Sequence, residues 1–259
     1  MKASAKTTIL KNKAKTVLAG KYYAVIMAVF FAAMFSLLIN RLSLALLSGV
    51  DSLGFAKNGG VVLVLSYLIP YLLSIVLNVL SVGICFFYLN LCTGNTVFTF
   101  QLLYGFSRDF EKSIKLSAVV TTVSFVCTLP VNILLDVTSA YYGTYKLAVF
   151  ALPVSLVLIV LQIIFLIAYF YVSLSLSQVF YLMLDYPDLS ASDIVKRSVK
   201  IMKGKKLQLF YLQLSFLPLY LVAILSFGVG LLWVLPYRNT AYTLFYLDVM
   251  KPTDPTYQP

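Results

Sequence analysis

Apolar residues run along this chain in long stretches, broken by short polar corners that hold most of the charge. About 20 apolar residues cross a bilayer core of roughly 30 Å. By that measure six spans are expected, over residues 22–47, 61–92, 116–135, 147–184, 207–227 and 231–250. The second and fourth exceed what a bilayer requires and are expected to tilt or project beyond it. The sixth is interrupted by Pro236-Tyr237-Arg238-Asn239-Thr240.

The runs close in a recurrent way. Phe87-Tyr88-Leu89, Phe180-Tyr181-Leu182 and Phe245-Tyr246-Leu247 end the second, fourth and sixth, and each is followed by a polar corner. A short segment ending in glycine precedes each apolar pair: Leu18-Ala19-Gly20, Leu103-Tyr104-Gly105 and Met202-Lys203-Gly204. The reading is three units of amphipathic helix, glycine, span, hairpin and span. The expected fold is an all-α membrane protein, a polytopic bundle of about six transmembrane helices in one domain over residues 1–259, with a basic arm (1–20) and a tail (251–259).

The best-specified local element is a basic amphipathic helix within residues 188–204. Ser190 with Asp193 makes an S-x-x-D cap. Ile194, Val195, Ser198, Val199 and Met202 recur at helical spacing, with Lys196, Arg197, Lys200 and Lys203 elsewhere on the helix. Gly204 is placed to stop it in the left-handed conformation. Such a helix suits contact with an anionic leaflet through Lys196, Arg197, Lys200 and Lys203; ordinary anchoring of a loop by positive charge explains the same pattern.

Composition narrows the class. The chain is 61% hydrophobic and 11% charged, against roughly 45–50% and 25% in soluble domains, which makes it a membrane protein. A net charge of +11 raises the question of nucleic acid, but no basic domain or reader motif is present, so no nucleic-acid partner is expected. Six basic residues lie in 1–21, three in 108–115, six in 196–206 and one at Lys251, against Arg41, Lys57 and Lys146 between the runs on the other side. Lys and Arg concentrate on the cytoplasmic side, so both termini are expected inside. The expected partners are membrane lipids, above all an anionic inner leaflet, and a membrane protein.

The residues Tyr186-Pro187, Ser190-Ala191, the run from Lys200 to Gly204, Gly228-Val229-Gly230 with Trp233, and Pro236-Tyr237 ahead of Phe245-Tyr246 resemble the bacterial membrane family called domain of unknown function 975. The resemblance covers nearly the whole chain. It implies an all-helical protein of the bacterial cytoplasmic membrane, in a family found largely in low-GC Gram-positive bacteria, and it brings no activity with it.

Catalytic chemistry has little to stand on. There is no histidine, and Cys85, Cys92 and Cys127 are scattered through apolar segments, where they read as packing residues. No phosphate loop, nucleophile elbow or zinc-binding helix pattern occurs. Asp109 and Glu111 lie beside Arg108 and Lys112 and read as a solvated loop. Neither an enzyme nor a cofactor or metal site is expected. The pointed place is Arg238 with Tyr237 and Asn239, since an arginine inside a span costs roughly 2.5–3.5 kcal/mol and is a functional candidate by default. Asn78, Gln162, Gln178 and the Tyr237 and Tyr242 hydroxyls are its candidate partners, or an anionic ligand. Against that, Arg238 can snorkel to headgroups or cap backbone freed by Pro236.

Overall fold

The computed structural model describes residues 2–52, 59–107, 110–144 and 151–253. Lys57, Arg108, Asp109, Lys146, the start of the fourth expected span (147–150) and the tail after Thr253 lie outside the described residues. Among the described residues every element is a helix. In chain order these are α1 (Lys2–Leu18), α2 (Tyr22–Ser52) and α3 (Gly59–Thr93). A 3-10 turn (Thr99–Leu103) and α4 (Tyr104–Ser107) lead into α5 (Phe110–Thr144), α6 (Ala151–Leu176) and α7 (Val179–Asp185). The chain ends with α8 (Ala191–Ile201), α9 (Lys206–Leu214), α10 (Leu217–Leu225) and α11 (Leu231–Thr253).

Five stretches are long and apolar enough to cross a membrane by length and composition: Tyr22–Gly49, Val64–Thr93, Phe110–Asp136, Leu156–Asp185 and Lys206–Leu225. The fifth combines α9 and α10, which are separated by a turn at Ser215 and Phe216. The sixth expected span forms a helix, α11, but is not among them. Its environment explains the weaker apolarity. It packs against α1, α2, α3, α8 and α10, and Ala241, Phe245, Tyr246 and Met250 are fully buried. Protein, rather than hydrocarbon, solvates most of its length.

The packed interior sits at the end of the molecule where α1, α8 and the C-terminal half of α11 meet. It draws Leu10 and Ala14 from α1, Leu116 from α5, Leu182 from α7, Ile194 from α8 and Phe245 from α11 into one cluster. A second cluster joins Leu18 and Val25 to Phe87, Tyr88 and Leu102. Away from this end the helices are clothed in exposed apolar side chains, such as Phe30, Leu38 and Leu46 on α2 and Leu156, Ile164 and Ile167 on α6. Burying these residues in hydrocarbon is what makes such a surface tenable.

Several hydroxyls in the spans are satisfied within their own helix, as a medium without water favours. Ser74 donates to the Pro70 carbonyl at 2.7 Å, Thr121 to Ser117 at 2.7 Å and Thr128 to Ser124 at 3.0 Å, each one turn back along its helix. Gly20 and Gly204 take left-handed φ values of +76° and +79°, turning the chain after α1 and α8. Gly105 serves differently. It lies inside α4 with a negative φ, and a Cβ there would press on the Val79 carbonyl of α3.

The three closing triplets gather in the interior. Tyr181 stacks on Tyr246 with ring centroids 4.9 Å apart, and the Tyr246 hydroxyl donates to the Asp185 carboxylate. Their hairpins differ in reach. Cys92 on α3 touches the Thr240 carbonyl of α11 at 3.9 Å, which puts the two residues at one level. From there α3 runs on toward Val61 for about 45 Å, while α11 runs back to Leu231 for only about 14 Å, at 1.5 Å per residue.

Candidate functional site

Arg238 lies on the face of α11 that meets α10. Its guanidinium donates to Asn239 Oδ1 at 3.0 and 3.2 Å and to the Tyr220 hydroxyl at 2.9 Å, and it sits 5.5 Å from the centre of the Tyr242 ring. Tyr220 is the partner that sequence reasoning missed. It stands across the hairpin on α10, and its only advance signal was a tyrosine in an otherwise aliphatic stretch. A cavity of about 260 Å³ opens beside the arginine, with Arg238, Asn239 and Tyr88 on one wall and Ala28, Ala32 and Ala33 of α2 on another.

Tyr237 points the other way, toward α1. The Lys11 and Lys15 ammonium groups lie 5.9 and 6.0 Å from its ring centre, and Phe216 meets it edge-on at 5.1 Å. Lys11 also donates to the Ser215 carbonyl at 3.0 Å. That carbonyl is freed where α9 ends, and a cation there also suits the negative end of the helix dipole. Partial burial and the neighbouring Lys15 charge lower the Lys11 pKa from its ordinary value.

Asn78, Gln162 and Gln178 do not join Arg238. Asn78 donates to Thr121 Oγ1 at 2.8 Å and lines a separate cleft of about 490 Å³ between α3 and α5, together with Tyr71, Ser74, Ser124 and Thr128. At the cleft's far end the Tyr67 hydroxyl donates to Asp136 at 2.8 Å. Gln162 donates to Thr138 at 3.3 Å within the α5–α6 hairpin. Gln178 is buried at the α6–α7 junction, where its amide donates to Ser177 at 2.9 Å. Separate local polar contacts therefore replace the single buried polar site expected from depth alone.

The basic helix α8 is capped at Ser190, whose hydroxyl accepts from the Asp193 N–H at 3.2 Å. Most of its apolar face is turned to protein, with Val199 exposed at the edge. Ile194, Ser198 and Ile201 are buried, and the Ser198 hydroxyl donates to the Ser175 carbonyl at 2.8 Å. Arg197 meets Tyr186 and Ser198 meets Ser175, so α8 packs against the α6–α7 arm, while Lys206 at the start of α9 reaches Tyr171. Lys196, Arg197, Lys200, Lys203 and Lys205 surround an open depression of about 670 Å³ on its outer side. An ion pair at 3.8 Å joins Lys196 to Asp193, and Arg197 stacks 3.9 Å over the Tyr186 ring.

No group of three or more histidine, cysteine, aspartate or glutamate side chains is close enough to hold a metal ion among the described residues. A family model described as "Protein of unknown function (DUF975)" matches residues 1–253. The chain belongs to that family of uncharacterised proteins, and its apolar helices suit a membrane protein. No curated protein and no solved structure matches it.

Proposed function

We propose that this chain is a multi-pass protein of the bacterial cytoplasmic membrane, with both termini inside. It acts without catalysis, in membrane-associated interaction or envelope maintenance. Three helical hairpins hold it in the bilayer, and its working surface is the packed, basic end. The observation that carries this reading is α8. Ile194 and Ile201 are engaged with protein, which leaves Lys196, Lys200 and Lys203 exposed, with Arg197 beside them over Tyr186, around an open depression. Cations so displayed next to a membrane attract anionic headgroups.

The test is to replace those four residues together by glutamine and measure complementation of a deletion strain and the anionic lipid that co-purifies. Both are expected to fall, while Arg238→Ala retains both. A second reading, transport of a small molecule or lipid, is supported by the polar cleft at Asn78 and the cavity beside Arg238. Loss of function in Arg238→Ala or Asn78→Ala with the four-residue variant unaffected would decide for transport.

A further inference from the structure

The hairpin of α10 and α11 is built for hydrocarbon at its tip, yet it is half the length a crossing needs. Its base is set by α1. Lys11 holds the Ser215 carbonyl and lies 4.7 Å from the Phe216 ring centre, and Lys11 and Lys15 flank Tyr237. Lys13 and Lys15 are exposed on the same helix. Each ammonium costs roughly 2.5–3.5 kcal/mol at a bilayer centre, so the level of Ser215 and Tyr237 belongs to the headgroups. Beyond it α10 has nine residues, a rise of about 14 Å against the roughly 30 Å of a hydrocarbon core. Tilt would only shorten that reach.

The tip carries no surface for water. Leu225, Phe227 and Val229 are 80%, 99% and 56% exposed. Every backbone N–H from Ser226 to Val234 is bonded within the hairpin, including that of Gly230, which donates to Ser226 Oγ at 2.9 Å. The Ser226 hydroxyl in turn donates to the Ala223 carbonyl at 2.8 Å. Internal satisfaction of this kind is what a lipid-immersed turn requires. At the base, Leu207, Tyr211 and Leu214 form an exposed stripe along α9 that suits the boundary between headgroups and acyl chains.

We propose that the hairpin from Ser215 to Tyr237 enters the bilayer from its lysine-rich side, turns near the midplane and leaves by the same side. Its partner is the acyl-chain region of one leaflet. It is a wedge in that leaflet and not a pair of spans, so the chain crosses the membrane through α2, α3, α5 and α6. Arg238 then lies at the headgroup level rather than deep in the core. None of this depends on the function proposed above or on which face the lysines occupy.

The chain has one tryptophan, Trp233, so depth can be read by fluorescence in vesicles of phosphatidylcholine and phosphatidylglycerol brominated at defined acyl positions. In a Phe227→Trp, Trp233→Phe variant the tip is expected within about 5 Å of the bilayer centre, quenched most by bromines near the chain ends and not by iodide. A crossing hairpin would put that residue about 15 Å from the centre, with the shallow bromines and aqueous iodide quenching it instead, and that result would overturn the proposal. The unmodified chain gives an independent reading. Trp233 is expected to resist iodide, and quenching by it would likewise overturn the one-leaflet assignment.

Discussion

Lys11 and Ser215 are 204 residues apart in the chain, and the Lys11 ammonium donates a hydrogen bond to the Ser215 carbonyl at 3.0 Å. The contact ties the N-terminal helix to the base of the last hairpin. Charge-assisted hydrogen bonds contribute about 1.5–3 kcal/mol, and solvent screening at this partly exposed site reduces that. Lys11→Met is expected to lower stability by about 1 kcal/mol, read as a drop in the thermal unfolding midpoint in detergent. Because the folded pKa of Lys11 is lowered, the unfolded chain binds more protons between that value and the ordinary 10.5. This group's contribution to stability therefore rises with pH through that window, and the slope difference between the parent and Lys11→Met measures it.

Gly83 and Gly204 separate two roles of glycine. A Cβ on Gly83 would overlap the Leu102 carbonyl, whereas one on Gly204 would meet nothing. Gly83→Ala is expected to cost about 1–3 kcal/mol by forcing α3 from the 3-10 turn. Gly204→Ala is expected to cost about 1 kcal/mol through its left-handed φ alone. Thermal unfolding of both variants checks the order.

Ser190→Ala removes the side-chain cap of α8 and is expected to cost about 1 kcal/mol. The loss should be local. Amide exchange at Ile194 and Val195 should quicken several-fold, while exchange in α3 stays unchanged.

Arg238→Met would leave Tyr220 and Asn239 without their shared donor. A cost of about 1–3 kcal/mol is expected. Arg238→Lys should recover only part of it, since one ammonium cannot reach both partners with the guanidinium's fork.

A reporter domain fused after the C-terminal residue, compared with one fused at the N-terminus, checks the sidedness inferred from charge. Both are expected to report the cytoplasm. Opposite sides for the two would leave an odd number of crossings and exclude a hairpin that returns to the face it entered.

Much of this was legible in local sequence because local forces decide it. Residues 22–47 are apolar enough to read as a helix from composition alone, and Ser190 with Asp193 announces the start of α8 through a bond spanning three residues. The family was legible too, from short motifs along the chain. Which surface each helix offers to what was not. The apolar residues of α8 looked equally suited to lipid, and only packing against the α6–α7 arm made Ile194 and Ile201 interior. Arg238 looked isolated because its partner Tyr220 lies on another helix, 18 residues earlier.

The sequence by itself determined that this chain is helical, apolar enough to suit a membrane and basic at alternate ends of its apolar runs, since these follow from the cost of moving each residue type out of water. Tertiary structure alone decided how far each hairpin rises above that charged end. Reach depends on where distant cations, such as Lys11 beside Ser215, lie against a helix, and no local run of apolar residues carries that distance.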